Sequence, residues 1–121
     1  TGANITGLTI NTFQVRRAKQ ITSSLTPYMQ ARCHYLAMDY ADVKGLEPNT
    51  YSGAFYMESS LHIENRTKTF AEAFRLLKPG GRLVAMEYVT LPSWDPTNPE
   101  QLHLMGMHLR GNGAARTPSI A

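Results

Sequence analysis

The sequence is poor in cysteine, long apolar runs and unbalanced charge, and each shortage narrows what the chain can be. Its single cysteine, Cys33, leaves no partner for an internal disulfide and opens a short apolar stretch where it serves as a small hydrophobe. No apolar run approaches the ~20 residues a membrane helix needs, and no secretory leader pattern is read. The sequons Asn4-Ile5-Thr6 and Asn65-Arg66-Thr67 therefore carry little weight as glycosylation sites. The formal charge is only +3, with one basic cluster, Arg16, Arg17 and Lys19, and no interleaved aromatic stripe. That excludes nucleic acid as the expected partner. A solvated helix face is the first reading of the cluster, and peripheral contact with a membrane surface is the second. There is no internal repeat. The four histidines do not suggest a metal, because His103 and His108 are five apart and point about 140° from one another on a helix; no metal is expected.

What remains is an ordinary balance of 42% hydrophobic and 17% charged residues over 121 positions, which fits one small folded domain. The chain starts at Thr1 in mid-pattern, as a piece of something longer would. Its organising stretch runs from Thr69 to Glu87. Phe70, Ala73, Phe74 and Leu77 recur at helical spacing on one face, while Lys68, Glu72 and Arg75 fall elsewhere. The helix should end at Leu77 or Lys78, because Pro79 lacks a donor and Gly80-Gly81 allow a cheap reversal. A buried strand centred on Leu83 to Met86 follows.

The rest falls into place around that unit. Asn4 to Ile10 reads as a strand, followed by a helix with Asn11 as N-cap and Gln14 at capping-box spacing. Val15, Ala18, Ile21 or Thr22, and Leu25 line its inner face, and Thr26-Pro27 closes it. Cys33 to Met38 and Gly53 to Met57 are further strands, separated by a loop at Lys44 to Asn49. Ser59 to Glu64 leads into the central helix, and Leu83 to Val89 is the fourth strand. A loop with Pro92, Trp94, Asp95 and Pro96 precedes a helix from Pro99 to Leu109, and a loose tail starts at Arg110. Strands alternating with helices predict an α/β fold with a mostly parallel sheet. Ligands of such sheets lie beyond the carboxyl ends of the strands. The residues there are Thr9-Ile10-Asn11, Asp39-Tyr40, Glu58 to His62, and Glu87-Tyr88, and the carboxylates among them suit the hydroxyls and amines of a nucleoside-like ligand.

These residues carry a resemblance. Phe74-Arg75-Leu76-Leu77-Lys78-Pro79-Gly80-Gly81-Arg82-Leu83, with Met57-Glu58-Ser59-Ser60-Leu61-His62 before it, resembles the signature after the fourth strand of class I S-adenosylmethionine-dependent methyltransferases. The closest likeness is to sterol 24-C-methyltransferases, collinear from Thr1-Gly2-Ala3 to about Gly113. It includes Gly7-Leu8, Glu72, Asp95, Asn98-Pro99-Glu100 and Gly111-Asn112-Gly113. Tyr88 stands where those enzymes usually carry tryptophan.

The resemblance implies a partial Rossmann-like class I methyltransferase fold, with a cofactor-binding core at 1–90 and a substrate-side segment at 91–121. It implies methyl transfer from S-adenosylmethionine to the side-chain double bond of a sterol, an apolar small-molecule substrate. Thr9, Ile10 and Gln14 would line the ribose and methionine side of the cofactor, Asp39 and Tyr40 the adenine, and Glu58 and His62 the crevice where cofactor and substrate meet. Glu58 or His62 would be the base that ends the reaction, and Glu87, Tyr56 and Tyr88 would stabilise the developing cation. Trp94, Tyr56 and Tyr88 would touch substrate; Met105 and Met107 near Trp94 read either as lining of an apolar pocket or as a Met-rich helix packed on a core. The expected location is the cytoplasm, with the endoplasmic reticulum surface as an option. Two alternatives stay open: a small-molecule or quinone-type methyltransferase, and a non-catalytic nucleotide-binding or interaction module. The Gly-rich loop after the first strand would lie before Thr1, and that strand would sit between those at Asn4 to Ile10 and Gly53 to Met57. The sheet should then either split or close a gap.

Overall fold

The computed structural model describes residues 2–59, 62, 63 and 65–113. The chain forms two compact units that divide between Leu46 and Glu47, inside the stretch 1–90 that the sequence treats as one core. The strands form two separate parallel pairs, one in each unit.

In the first unit, β1 (Ile5–Thr9) pairs in parallel with β2 (Cys33–Ala37), from Ile5 opposite Cys33 to Thr9 opposite Ala37. A parallel pair needs a crossover, and α1 (Thr12–Thr22) supplies it. Asn11 caps α1 as its residue type demands, its Oδ1 accepting from the N–H groups of Phe13 at 2.9 Å and Gln14 at 3.3 Å. The reciprocal half of a capping box is not made. Gln14 Oε1 instead accepts from the Thr9 hydroxyl at 2.7 Å, and that hydroxyl accepts from the Asn11 N–H. Val15 and Thr22 are the buried residues of the helix, two turns apart on one side, while Ile21 is exposed. Thr22 reaches Tyr35 of β2 through a 2.8 Å hydroxyl pair. Thr26-Pro27 does not close α1, which stops at Thr22; it opens the short α2 (Pro27–Gln30), where Thr26 is the N-cap and Pro27 needs no donor.

The second unit holds β3 (Tyr51–Met57), α3 (Arg66–Leu76) and β4 (Leu77–Met86), a crossover in which helix and strand join without a loop. Leu77 already has extended backbone, φ −75° and ψ 139°. The last carbonyls of α3 are met from the side, Arg75 and Leu76 accepting from the N–H groups of Asn49 and Thr50. The Lys78-Pro79-Gly80-Gly81 turn, expected ahead of the strand, interrupts its ladder instead. Tyr51 faces Leu77 and Gly53 faces Arg82, so two steps along β3 take five along β4 and three residues are looped out. Beyond the bulge the register is regular to Met57 opposite Met86, where β4 stops short of the expected Val89.

The inner face of α3 also differs. Thr69, Ala73, Leu76 and the adjoining Leu77 are buried, but Phe74 is 81% exposed. Phe74 lies about 100° round the helix from Ala73, so the buried stripe is centred on Ala73 and leaves it outside. Phe70 packs edge-on against Tyr56 of β3, with ring centroids 5.9 Å apart. Tyr56 therefore lies on the sheet face that α3 covers. Phe55, Met57, Val84 and Met86 alternate with it and are exposed on the other face.

After the proline-rich loop, α4 (Pro99–Asn112) is capped by Asn98, whose Oδ1 accepts from Glu100 and Gln101 N–H, and ends on the left-handed Gly113. Arg110 to Asn112, expected in the loose tail, belong to this helix. The rest of that tail, 114–121, lies outside the described residues, as do Ser60, Leu61 and Glu64 of the segment between β3 and α3.

Candidate functional site

Parallel pairing puts the carboxyl ends of both strands at one edge of each unit. In the first unit the Met38 N–H donates to the Thr9 carbonyl at 2.9 Å, so Thr9-Ile10 and Asp39-Tyr40 leave the sheet side by side. Asp39 Oδ1 accepts from the Ala41 N–H at 2.8 Å, an Asx turn that aims the carboxylate. The Thr9 hydroxyl is engaged with Gln14, which leaves the Gln14 amide NH₂ as the donor that this pair can turn to a ligand. Between β1 and α1 an open cavity of about 220 Å³ is lined by Gly7, Thr9, Gln14, Val15, Ala18 and Tyr35. Gly7 keeps it open, since a Cβ there would stand 3.3 Å from the Tyr35 ring. Ile10 is exposed just beyond the edge.

In the second unit the Glu58 N–H donates to the Met86 carbonyl at 2.8 Å, and Glu87 Oε1 accepts from the Ser59 N–H at 3.1 Å. The Glu58 backbone and the Glu87 carboxylate are thus tied to one strand edge. Glu58 has φ 50°, a left-handed conformation that costs a non-glycine residue about 1–3 kcal/mol and is concentrated at working sites. His62 is exposed, its N–H donating to the Ser59 carbonyl at 3.2 Å. Tyr88, next to Glu87, meets the ring of His108 on α4 with centroids 4.9 Å apart and planes at 65°. His108 is held in turn by Asn112, whose Nδ2 lies 3.2 Å from its Nδ1. Trp94 is half-buried in the turn closed by its N–H to the Leu91 carbonyl. In the same loop the Thr97 hydroxyl, and then its N–H, bond Asp95 Oδ1 and hold that carboxyl below its ordinary pKa.

The expected site residues thus fall into two sets, Thr9, Ile10, Gln14, Asp39 and Tyr40 on one unit, and Tyr56, Glu58, His62, Glu87, Tyr88 and Trp94 on the other. Sequence reasoning did not find the backbone of Ser59 as a carboxylate clamp, which leaves no side-chain signal. It weighed His108 only as a metal ligand; the i, i+4 spacing to Asn112 was the available clue. Among the described residues, no three His, Cys, Asp or Glu side chains gather closely enough to hold a metal ion, and no helix is long and apolar enough to cross a membrane.

Each unit is a parallel strand pair joined by a crossover helix, with acidic and hydroxyl groups at its carboxyl edge, an α/β scaffold. Residues 1–85 match the profile of a methyltransferase domain, and the chain belongs to that family, the class I S-adenosylmethionine-dependent methyltransferases. It is 35% identical over 124 aligned residues to methyltransferase phqN of Penicillium fellutanum, covering 100% of this chain and 36% of that protein. It is 32% identical to sterol methyltransferase-like 1 of Botryococcus braunii, covering 93% of the chain and 28% of the relative. It is also 32% identical to 24-methylenesterol C-methyltransferase 2 of Oryza sativa subsp. japonica, with 99% and 33% covered. The chain therefore spans about a third of the length of the curated relatives it matches. Among solved structures, the [4+2]-cyclase SpnF superposes with a TM-score of 0.68 at 26% identity, over 75% of this chain and 32% of that one.

Proposed function

We propose that the chain is part of an S-adenosylmethionine-dependent methyltransferase whose parent protein methylates a carbon of a sterol-like, apolar substrate. The observation that carries this reading is the acidic edge of the second unit, where strained Glu58 and clamped Glu87 stand side by side in a chain with sterol-methyltransferase relatives. When bound, the cofactor supplies a methyl group on a sulfonium, an electrophile that needs orientation more than activation.

The residues present fit that cofactor. The Asp39 carboxylate, oriented by Ala41, is an acceptor for ribose hydroxyls or an exocyclic amine, and the Gln14 amide is a donor. Ile10 and Tyr40 supply flanking apolar surface. At the other edge, Glu87 is fixed by the Ser59 N–H, so its carboxylate is positioned as an electrostatic stabiliser for positive charge on a substrate carbon. Tyr88 adds an aromatic face to the same task. Glu58 and His62 are exposed beside it and are the groups able to accept the final proton. Trp94, half-buried in the same unit, supplies apolar surface, whereas Tyr56 is engaged with Phe70 under α3.

The structural likeness to SpnF favours a second reading, because that protein is named as a cyclase and not as a methyltransferase. On that reading the scaffold binds the cofactor and directs another reaction. The test uses the full-length parent protein with isotopically labelled S-adenosylmethionine and a panel of sterols, phenols and quinols. Label in a sterol supports the proposal. Label in phenols alone removes the sterol, and absence of S-adenosylhomocysteine binding at millimolar ligand removes methyl transfer itself.

A further inference from the structure

The first turn of α3 carries polar groups that the described residues do not satisfy. Arg66 is half-buried, and its Nε and Nη2 are sealed from solvent without a hydrogen-bond partner. Thr69 is 0% exposed, and its Oγ1 also lacks a partner. Residues three apart share one side of a helix, so the guanidinium and the hydroxyl stand one turn from each other on the same side. Leaving either group unmatched is costly, and two in one turn call for a common cause.

Charge points the same way. Arg66 and Lys68 occupy the end of α3 at which the helix's own dipole is positive, and no acidic residue lies in that turn. Glu72, the acid of this helix, is committed to Arg75 at 2.9 Å. An anion would relieve the repulsion and meet the donors together. The site also has a place in the fold. Because β3 and β4 are parallel and α3 crosses between them, its N-terminus lies beyond their carboxyl ends, the edge that bears Glu58 and Glu87.

We propose that Arg66 and Thr69 form an oxyanion subsite for the carboxylate of a small organic acid. A guanidinium matches the two oxygens of a carboxylate in one plane, and the threonine hydroxyl supplies one further donor. One guanidinium and one hydroxyl suit a monoanion better than a phosphate dianion, which asks for more donors. The subsite stands on the donors of α3 alone, so it holds whether or not the parent protein transfers methyl groups.

The test is a titration of the 121-residue chain with acetate against chloride at fixed ionic strength, following the Arg66 Nε–H resonance and the urea unfolding midpoint. Acetate should move both in a saturable way, and neutral acetamide should move neither. Arg66→Met and Thr69→Val should bind acetate at least tenfold more weakly. Without acetate both variants should resist urea at least as well as the parent, since each removes a buried polar group that lacks a partner. An Arg66 resonance indifferent to acetate overturns the subsite. So do variants that unfold more readily while the native midpoint ignores acetate, because the two groups would then have partners within the fold. Tighter binding of inorganic phosphate than of acetate overturns the assignment to a carboxylate.

Discussion

The bulge in β4 sets the register of the second unit, and replacing one of its glycines should show how firmly. A Cβ built on Gly81 would lie 2.8 Å from the Lys78 carbonyl oxygen and 3.2 and 3.3 Å from atoms of the Leu77 side chain. Real Cβ atoms do not tolerate the first distance, and neither neighbour can retreat easily. Lys78 is held by the loop itself, and Leu77 is buried at the helix–strand junction opposite Tyr51. Forcing a methyl group into such a space costs about 1–3 kcal/mol. Gly80 is the internal control. It has φ 78° and open space around its missing Cβ, so alanine there adds only the left-handed penalty of about 1–2 kcal/mol.

Gly81→Ala should therefore cost as much as Gly80→Ala or more, about 2–3 kcal/mol. With a urea slope of about 1–3 kcal/mol per molar, the unfolding midpoint should fall by about 1 M. Far-UV circular dichroism gives the midpoint, and amide exchange at Gly53 to Phe55 reports the ladder directly. A slip of one residue would turn Val84 and Met86 to the face that α3 covers and move Glu87 away from the Ser59 N–H. A Gly81→Ala protein as stable as the parent, or one harmed less than Gly80→Ala, would refute the reasoning.

Other consequences can be checked on the same chain. Asn11→Ala removes the acceptor for two helix N–H groups and should cost about 1 kcal/mol, while Asn11→Asp should recover most of it. Tyr35→Phe leaves the buried Thr22 hydroxyl without its partner and should cost about 1–2 kcal/mol, with the Thr22→Val/Tyr35→Phe double variant losing less than the sum of the singles. Asp95 should titrate below its ordinary value in a carboxyl carbon NMR titration, and Thr97→Val should return it toward that value. The sign follows from the depressed folded-state pKa: whatever stability Asp95 contributes is present above the unfolded pKa and lost as pH falls through the folded one. An Asp95 titration unmoved by Thr97→Val would remove the hydroxyl as the cause.

Where the sequence was legible, a local rule and the tertiary fold asked for the same thing. Asn11 caps because its side chain suits an N-cap and the crossover from β1 must begin at once. The Cys33 and Gly53 strands run parallel to their neighbours because the helices between strands leave no room for a hairpin. Where two local rules competed, reading failed. Thr26-Pro27 is both a helix stop and a helix start, and α2 takes the second role. Lys78-Pro79-Gly80-Gly81 is both a turn and a tolerable bulge. With Leu77 already extended and paired to Tyr51, the ladder starts before the glycines and resumes after them.

The site was legible to the same degree and for the same reason. Residue types at strand ends reveal that carboxylates meet an edge, because β pairing alone fixes which residues emerge there, and Asp39, Glu58 and Glu87 do emerge. What orients them is mostly backbone. The N–H groups of Ala41 and Ser59, which hold the Asp39 and Glu87 carboxylates, belong to every residue type, so no side chain announces them. The Thr9–Gln14 bond lies between these cases. Gln14 reads as the third helical residue of a capping box, yet the Asn11 N–H donates to the Thr9 hydroxyl and that hydroxyl donates to Gln14 Oε1. Gln14 is then released to the edge of the sheet, which puts its amide among the ligand-facing groups through a competition for one hydrogen bond and not through its own spacing.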